Sequence, residues 1–351
     1  MSASSWGSRF VVTTFGESHG MGLGAVIDGC PAGVVFDHDL LTNNLARRRP
    51  GQSHEGVTLV TDRNEQDQPQ VLSGVFEGKT LGTPIAVVVQ NQDQRSGDYE
   101  KIKNSPRPGH ADDVWKGKFH HSDHRGGGRS SGRETLARVI AGSIAEMLVK
   151  QLSPKTQVVA WTSQVGPVAL TKEEIHSSLK TQKNPKNIDA FAARLPHLEK
   201  SIEVKELLLA AKKDGKSYGG IADIFVINPP PHLGQPVFHK LKSDLAGAYM
   251  SIGATHGVEL GYGFSASDAE GSQFHDPKND DTHRYGGIRG GISTGEPIHF
   301  RVAFKPTATV LHHAQSGRHD PCIIPRAIPV LEAMTYMVLA DHILWARQDR
   351  V

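Results

Sequence analysis

Residues 125–134 read Arg-Gly-Gly-Gly-Arg-Ser-Ser-Gly-Arg-Glu: three arginines, two hydroxyls and four glycines immediately ahead of a helical segment. Glycines let a backbone turn sharply and approach a ligand closely, and the first turn of a helix offers unpaired N–H groups and the positive end of its macrodipole. The combination suits an anion, either phosphate or carboxylate. No Gly-Lys-Ser/Thr follows the glycines, so the lysine of a P-loop is missing and arginines and backbone must do the holding. Four further polar blocks carry residues of the right kind: Gly16-Glu17-Ser18-His19-Gly20, Arg47-Arg48-Arg49-Pro50-Gly51, Arg107-Pro108-Gly109-His110-Ala111-Asp112 and Gly317-Arg318-His319-Asp320-Pro321-Cys322. Guanidiniums grip phosphate and carboxylate with a forked donor set, and histidine exchanges protons near neutrality. Taken singly, each block also reads as ordinary architecture: a turn, a helix C-terminus with cations complementing the dipole, a Pro-Gly loop, a helix start.

The elements that must position these blocks are legible in the apolar pattern. Ser131-x-x-Glu134 has capping-box spacing, and Leu136, Val139, Ile140, Ile144, Met147 and Leu148 repeat at three and four residues, which predicts a helix over about 132–151. Further helices are expected over about 237–252, with Val237, Leu241, Leu245 and Ala248 on one face, and over about 324–346, apolar nearly all round and so suited to burial between layers. Residues 10–15, 22–28, 81–89 and 298–304 read as strands, the last alternating cleanly with Ile298, Phe300, Val302 and Phe304 on one face. Strands do not alternate regularly with helices, which favours an α+β fold with a helical layer sandwiched between antiparallel sheets over a doubly wound parallel sheet. The string Gly78-x-x-x-Gly82-x-Pro84-Ile85 is echoed by Gly291-x-x-x-Gly295-x-Pro297-Ile298; a worn duplication and shared turn chemistry both account for it. Residues 171–214, opening at Thr171-x-x-Glu174 and stopping at Gly215, are expected as a peripheral helical insertion in a single domain spanning 1–351, and residues 265–287 as a long mobile loop.

Lys+Arg 39 against Asp+Glu 37 leaves the chain near neutrality, so its arginines act by local clustering and nucleic acid is not expected as a partner. Cys30 and Cys322 are too few for a disulfide framework or a cysteine-rich metal site, and suit a reducing compartment. Residues 1–10 lack the apolar core of a signal peptide and no stretch is read as a membrane span, so a soluble, cytoplasmic protein is expected. Nineteen histidines raise the question of metal, but neither His120-His121-x-x-His124 nor His312-His313 carries the helical pair and carboxylate of a metal site, so none is expected. No strand-linked Gly-x-Gly-x-x-Gly with a following acid marks a nicotinamide site.

In their order along the chain, Thr-Thr-Phe-Gly-Glu-Ser-His-Gly at 13–20, Arg-Arg-Arg-Pro-Gly-Gln-Ser at 47–53, Arg-Pro-Gly-His-Ala-Asp at 107–112, Arg-Gly-Gly-Gly-Arg-Ser-Ser-Gly-Arg-Glu-Thr at 125–135, Lys-Pro-Thr at 305–307 and Gly-Arg-His-Asp-Pro-Cys at 317–322 resemble the chorismate synthase family. The resemblance runs from Phe10 to Leu344. It implies 1,4-anti elimination of phosphate from 5-enolpyruvylshikimate 3-phosphate to give chorismate, the last common step of the shikimate pathway, with reduced FMN required and no net redox change. It also implies a homotetramer, and leaves open whether FMN is reduced with NADPH by the chain itself or by an external flavin reductase, the favoured expectation.

By the same resemblance Arg48, Arg107, Arg133 and Arg318 meet the substrate, His19 protonates the departing phosphate, His110 protonates the reduced flavin or holds it in its active ionisation state, and Asp320 helps the flavin N5 accept the ring proton. Ser18 and Ser131 match hydroxyls close to substrate and flavin. Flavin contacts are implied for Arg129, Ser130, Ser131, Gly253, Ala254, Gly290, Lys305, Pro306, Thr307, Ala308, Thr309 and Arg318. His54 stands where the family usually places another substrate arginine, and Gly253 where a larger residue is common. A phosphate and two carboxylates would be prohibitively costly to bury without several guanidiniums, so the arginine count makes physical sense.

Overall fold

Strand-forming runs rich in Val, Ile and Phe fall into two groups along the chain, and each group closes into its own antiparallel sheet. The computed structural model describes residues 2–49, 53–54, 57–59, 67–91, 109–123, 125–181, 185–278, 281–314 and 320–351. The first half contributes β1 (Ser5–Trp6), β2 (Val11–Phe15), β3 (Gly22–Asp28), α1 (His38–Arg48), β4 (Ser53–His54), β5 (Val57–Thr58), β6 (Pro69–Ser73), β7 (Val75–Phe76), β8 (Lys79–Thr80), β9 (Ile85–Gln90), α2 (Asp112–Phe119) and α3 (Thr135–Leu152). The second contributes β10 (Gln157–Val165), β11 (Val168–Ala169), α4 (Lys172–Thr181), α5 (Pro185–Asp189), α6 (Leu198–Asp214), β12 (Gly220–Ile227), α7 (Leu241–Met250), β13 (Thr255–Leu260), α8 (Gly271–Phe274), β14 (Ile288–Arg289), β15 (Ile292–Ser293), β16 (Ile298–Phe304) and α9 (Ile324–Ala346). The sheets run β1-β2-β3-β9-β6 and β11-β10-β12-β16-β13. Between them α3 packs on β3 and α9 on β10, with α3 against α9 and α1 and α7 at the flanks, which is the expected α+β sandwich.

The two sheets repeat one plan. β9 and β16 each hold the fourth place in their sheet, each follows a hairpin of two-residue strands, and each leads on to a long central helix. The path β3, α1, β6 is matched by β12, α7, β13. Turn chemistry alone would not place both glycine-proline strings at the same topological position, so the structure supports duplication. The halves differ where β2 and β3 are joined by residues 16–21 while β10 and β12 are joined by β11 and α4–α6. Thr171 and Glu174 there exchange the reciprocal bonds of a capping box, at 2.7 and 3.2 Å, and Gly215 ends α6 at φ 65°. The segment is also tied inward, because buried Arg194 donates to the carbonyls of Arg47 and Pro325 and pairs with Asp189.

Several boundaries depart from the sequence pattern. α7 begins at Leu241 because residues 235–239 close a turn, Gln235 N–H donating to His239 O at 2.8 Å, which leaves Val237 exposed. β9 begins at Ile85, after Gly82 has turned the chain at φ 75°. The stretch 265–287 carries short helical turns, with Phe274 edge-on to Tyr262 and Tyr285, where an open loop was expected. α9 is long and apolar enough to cross a membrane by length and composition, against expectation, but 89% of its most apolar window is buried between the sheets. Asp341 on α9 accepts the N–H groups of Ser8, Arg9 and Phe10 through Oδ1 at 2.9, 2.5 and 2.8 Å, fixing the segment that enters β2 to the central helix.

Candidate active site

Sheet pairing gathers the polar blocks. Residues 16–21 join β2 to β3, and the β3–β9 register puts Asn91 beside Met21, whose carbonyl accepts the Asn91 N–H at 3.0 Å. The Asn91 amide donates to the carbonyls of Gly20 at 2.8 Å and Ser18 at 3.3 Å, so it braces the loop that carries Ser18 and His19. Continuing the β6–β9 register from Pro69↔Val89 brings Asp67 to the same end of the sheet. Neither Asp67 nor Asn91 stands in any of the sequence blocks.

The glycines of 125–134 act as their sequence suggests. Gly126, Gly127 and Gly128 take φ values of 60°, 84° and 53°, conformations that L side chains rarely adopt. A Cβ on Gly126 would collide with the His19 ring and Ser18 Oγ, so the cradle lies directly against that histidine, whose Nδ1 is 2.9 Å from Ser18 Oγ. The capping box does not form as expected. Ser131 caps a short 3₁₀ turn at 132–134 by accepting the Arg133 N–H at 3.3 Å, while Glu134 pairs with Arg138 one helical turn on at 3.0 Å. The glycine-rich approach sets the chain one turn short of α3, and Glu134 is drawn to the nearer cation.

A cavity of about 1090 Å³ opens between the N-terminal ends of α3 and α9, the C-terminal end of α7, the start of α2 and the segment after β16. Arg48, His110, Arg129, Ser130, Ser131, Arg133, Gly253, Ala254, Lys305, Pro306, Thr307, Ala308, Thr309 and Asp320 all line it. Ser18 and His19 stand behind Gly126, buried. Gly290 is exposed at the tip of the β14–β15 hairpin, where its φ of 61° serves the turn, and it does not line this cavity. Arg107 and Arg318 lie outside the described residues, as does the side chain of His54, whose backbone belongs to β4.

Arg48 and Arg133 share one carboxylate: Arg48 Nη2 reaches Asp67 Oδ2 at 2.8 Å and Arg133 Nη1 reaches Oδ1 at 2.7 Å. Burial lowers the pKa of the Arg48 guanidinium, Asp67 opposes that shift, and the like charges of Arg326 and Arg133 add to it. Arg48 Nε and Nη1 and Arg326 Nε are buried with no acceptor among the described residues. Arg326, in the first turn of α9, holds Asp320 at 2.6 Å and was not singled out by sequence, because a lone arginine in an apolar helix carries no spacing signal. Arg129 spends its terminal nitrogens on Thr14 Oγ1 at 2.7 Å and Gly16 O at 3.2 Å, and Lys305 Nζ donates to Gly109 O at 3.0 Å, tying the residues before α2 to the segment after β16. Trp115 and Phe119 pack with ring centroids 5.3 Å apart and, with Ile252, Val330 and Met337, contribute apolar lining to the cavity.

Residues 10–344 match the family model described as chorismate synthase. The chain belongs to the chorismate synthase family. Chorismate synthase of Bdellovibrio bacteriovorus is 61% identical over 351 residues, covering 100% of both chains, and that of Flavobacterium psychrophilum is 44% identical over 98% of each. The crystal structure of a chorismate synthase superposes with a TM-score of 0.76 at 30% identity, over 97% of this chain and 93% of that one. As a chorismate synthase family member it is a lyase of aromatic amino acid biosynthesis, converting 5-enolpyruvylshikimate 3-phosphate to chorismate and phosphate, and the family works with a reduced flavin.

Proposed function

We propose that the cavity between α3 and α9 is where this elimination occurs, with the substrate against the arginines and reduced FMN along the apolar wall. The observation that carries the assignment is that Arg48 and Arg326 line the cavity while buried guanidinium N–H groups on both have no acceptor among the described residues. A buried donor of that kind calls for an anion, since leaving it unpaired costs about 1–3 kcal/mol or more for a charged group. Arg48 and Arg133 bind the substrate's anionic groups from the described residues, and Arg107 and Arg318 complete the set.

The residues fit a flavin. Small residues at Gly253 and Ala254 leave backbone exposed beside an apolar wall, and Ser130, Lys305, Thr307 and Thr309 supply polar groups at its edge. Bound there, reduced FMN supplies electron density to the substrate's allylic system. Ser18 Oγ and His19 Nδ1 share a hydrogen bond at 2.9 Å, which orients the imidazole; with Ser18 as donor, the transferable proton for the departing phosphate sits on Nε2. His110, ahead of α2, governs the protonation of the flavin. Asp320, oriented by Arg326 at 2.6 Å, is placed on the cavity wall to assist removal of the ring proton. Ser131 Oγ accepts the Arg133 N–H at 3.3 Å and keeps its own O–H to donate, so it can position the ligands or relay a proton. The working form is taken to be a cytoplasmic homotetramer served by an external flavin reductase, a reading that rests on the family resemblance.

Anaerobic turnover with chemically reduced FMN tests the assignment. Truncating His19 or His110 to Ala is expected to lower kcat by about 10²–10⁴, the usual contribution of a positioned acid or base. Undiminished turnover by either folded variant removes that histidine from the mechanism. Comparing this assay with NADPH plus oxidised FMN decides whether the chain reduces its own flavin.

A further inference from the structure

Asp67 has no part in the scheme above, yet it anchors two of its substrate arginines. Its side chain is 1% exposed, and its two oxygens are divided between Arg48 Nη2 and Arg133 Nη1, at 2.8 and 2.7 Å. Arg133 Nε and Nη2 also donate to Asn91 Oδ1, at 3.1 and 2.9 Å. Asn91 in turn braces the loop that carries His19, so Asp67 links Arg48 to a path of polar contacts, through Arg133 and Asn91, that ends on the backbone either side of the candidate acid.

Two roles are physically open to a carboxylate in this place. It can stand where a substrate anion will sit and be displaced, or it can remain and hold the guanidiniums for that anion. Two features favour the second. Asp67 engages only one terminal nitrogen of Arg48, while Nε and Nη1 remain buried, without an acceptor among the described residues, on a side chain that lines the cavity. An incoming anion therefore has donors to meet without evicting the carboxylate. The Asp67 backbone is also held by the pairing that follows it, β6 against β9 from Pro69 onward, and moving the side chain out would break two buried ion pairs at once. Two like-charged guanidiniums repel each other, and a shared carboxylate, accepting one bond from each, sets both their spacing and their aim.

We propose that Asp67 is a positioning residue for the elimination, the shared counter-ion that fixes Arg48 and Arg133 as one preorganised clamp for the substrate's anionic groups. This rests on reading those two arginines as substrate ligands. The Asp67→Asn side chain keeps the shape but loses the charge and one acceptor, and its NH₂ faces a guanidinium donor, so one arginine of the pair is released. The purified full chain, confirmed folded by circular dichroism, is assayed anaerobically with reduced FMN, and inorganic phosphate is used as a probe by calorimetry without turnover. The KM for 5-enolpyruvylshikimate 3-phosphate is expected to rise at least about 10-fold in Asp67→Asn, phosphate binding to weaken in parallel, and FMN affinity to stay within about 2-fold. Asp67→Glu, which keeps charge and both acceptors one methylene displaced, is expected to fall between wild type and Asp67→Asn. If Asp67→Asn does not fold, the KM of Asp67→Glu decides alone: raised supports the clamp, unchanged overturns it. Arg48→Ala run alongside separates the two readings. If it raises KM while folded Asp67→Asn leaves KM unchanged or lower, or disturbs FMN affinity equally, the clamp is wrong and the arginine assignment stands. If Arg48→Ala leaves KM unmoved, the arginine assignment itself fails.

Discussion

Gly126 sets the position of a catalytic candidate by having no side chain. Its φ of 60° and the closeness of the His19 ring and Ser18 Oγ both forbid a Cβ. Gly126→Ala is therefore expected to lower stability by about 1–2 kcal/mol, the cost of holding an L residue in the left-handed region. The histidine must also move to make room, and a displacement of about 1 Å at a reacting group costs about 10²-fold. Turnover measured well below the melting transition checks this: a kcat reduced about 100-fold in folded protein is expected, and a wild-type kcat would separate Gly126 from His19's placement. At this scale the sequence showed the glycines and the candidate histidines because they sit in dense, patterned strings. It did not show Asp67, Asn91 or Arg326. Each is a single polar residue in an unmarked stretch, and only strand pairing or the first turn of a buried helix brings it to the site.

The two central helices raise a different constraint, one of distance. Gly142 lies in the middle of α3, where glycine costs about 1 kcal/mol relative to alanine. It is tolerated because α9 comes so close that a Cβ there would collide with Ala333 Cα and Cβ. Gly142→Ala thus gains helix propensity and loses the helix contact, and overpacking of this kind typically costs about 1–3 kcal/mol. The contact is the larger effect, so thermal unfolding is expected at lower temperature; an unchanged or higher melting temperature would show that α3 and α9 can separate without cost. Since both helices open onto the cavity through their N-terminal turns, the same variant should also weaken flavin binding. Helices with a full apolar period were legible in advance, α9 from end to end and α3 to within a short 3₁₀ turn. The start of α7 was not, because the turn at 235–239 takes Val237 away from the face its spacing suggested. The repeated plan of the two sheets was half visible, as one glycine-proline string; strand order carries the rest, and strand order is a long-range property that spacing along the chain does not encode.

Over the whole molecule, the buried layer of helices and inward sheet faces also determines the chemistry of the two thiols. Cys30 is 2% exposed and Cys322 fully buried, and burial pushes their thiols up to about 11 and about 12. Thiolate is the reactive form, so the native protein is expected to resist a disulfide reagent at pH 8 over hours while urea-unfolded chain reacts at both positions at once. The same shift links alkalinity to stability. The folded state favours the protonated thiol, so its contribution is complete below the unfolded thiol value near 9 and is lost as pH rises towards 11 and 12. Between pH 7 and pH 9.5 the loss amounts to about 1 kcal/mol per thiol. Urea unfolding of wild type and of a Cys30→Ala/Cys322→Ala variant at the two pH values separates the thiols from other titrating groups. The wild type should lose about 2 kcal/mol more than the variant over that interval. Equal losses would mean that neither thiol is held protonated by the fold, and rapid native-state labelling at pH 8 would point the same way, to a helical layer that opens readily.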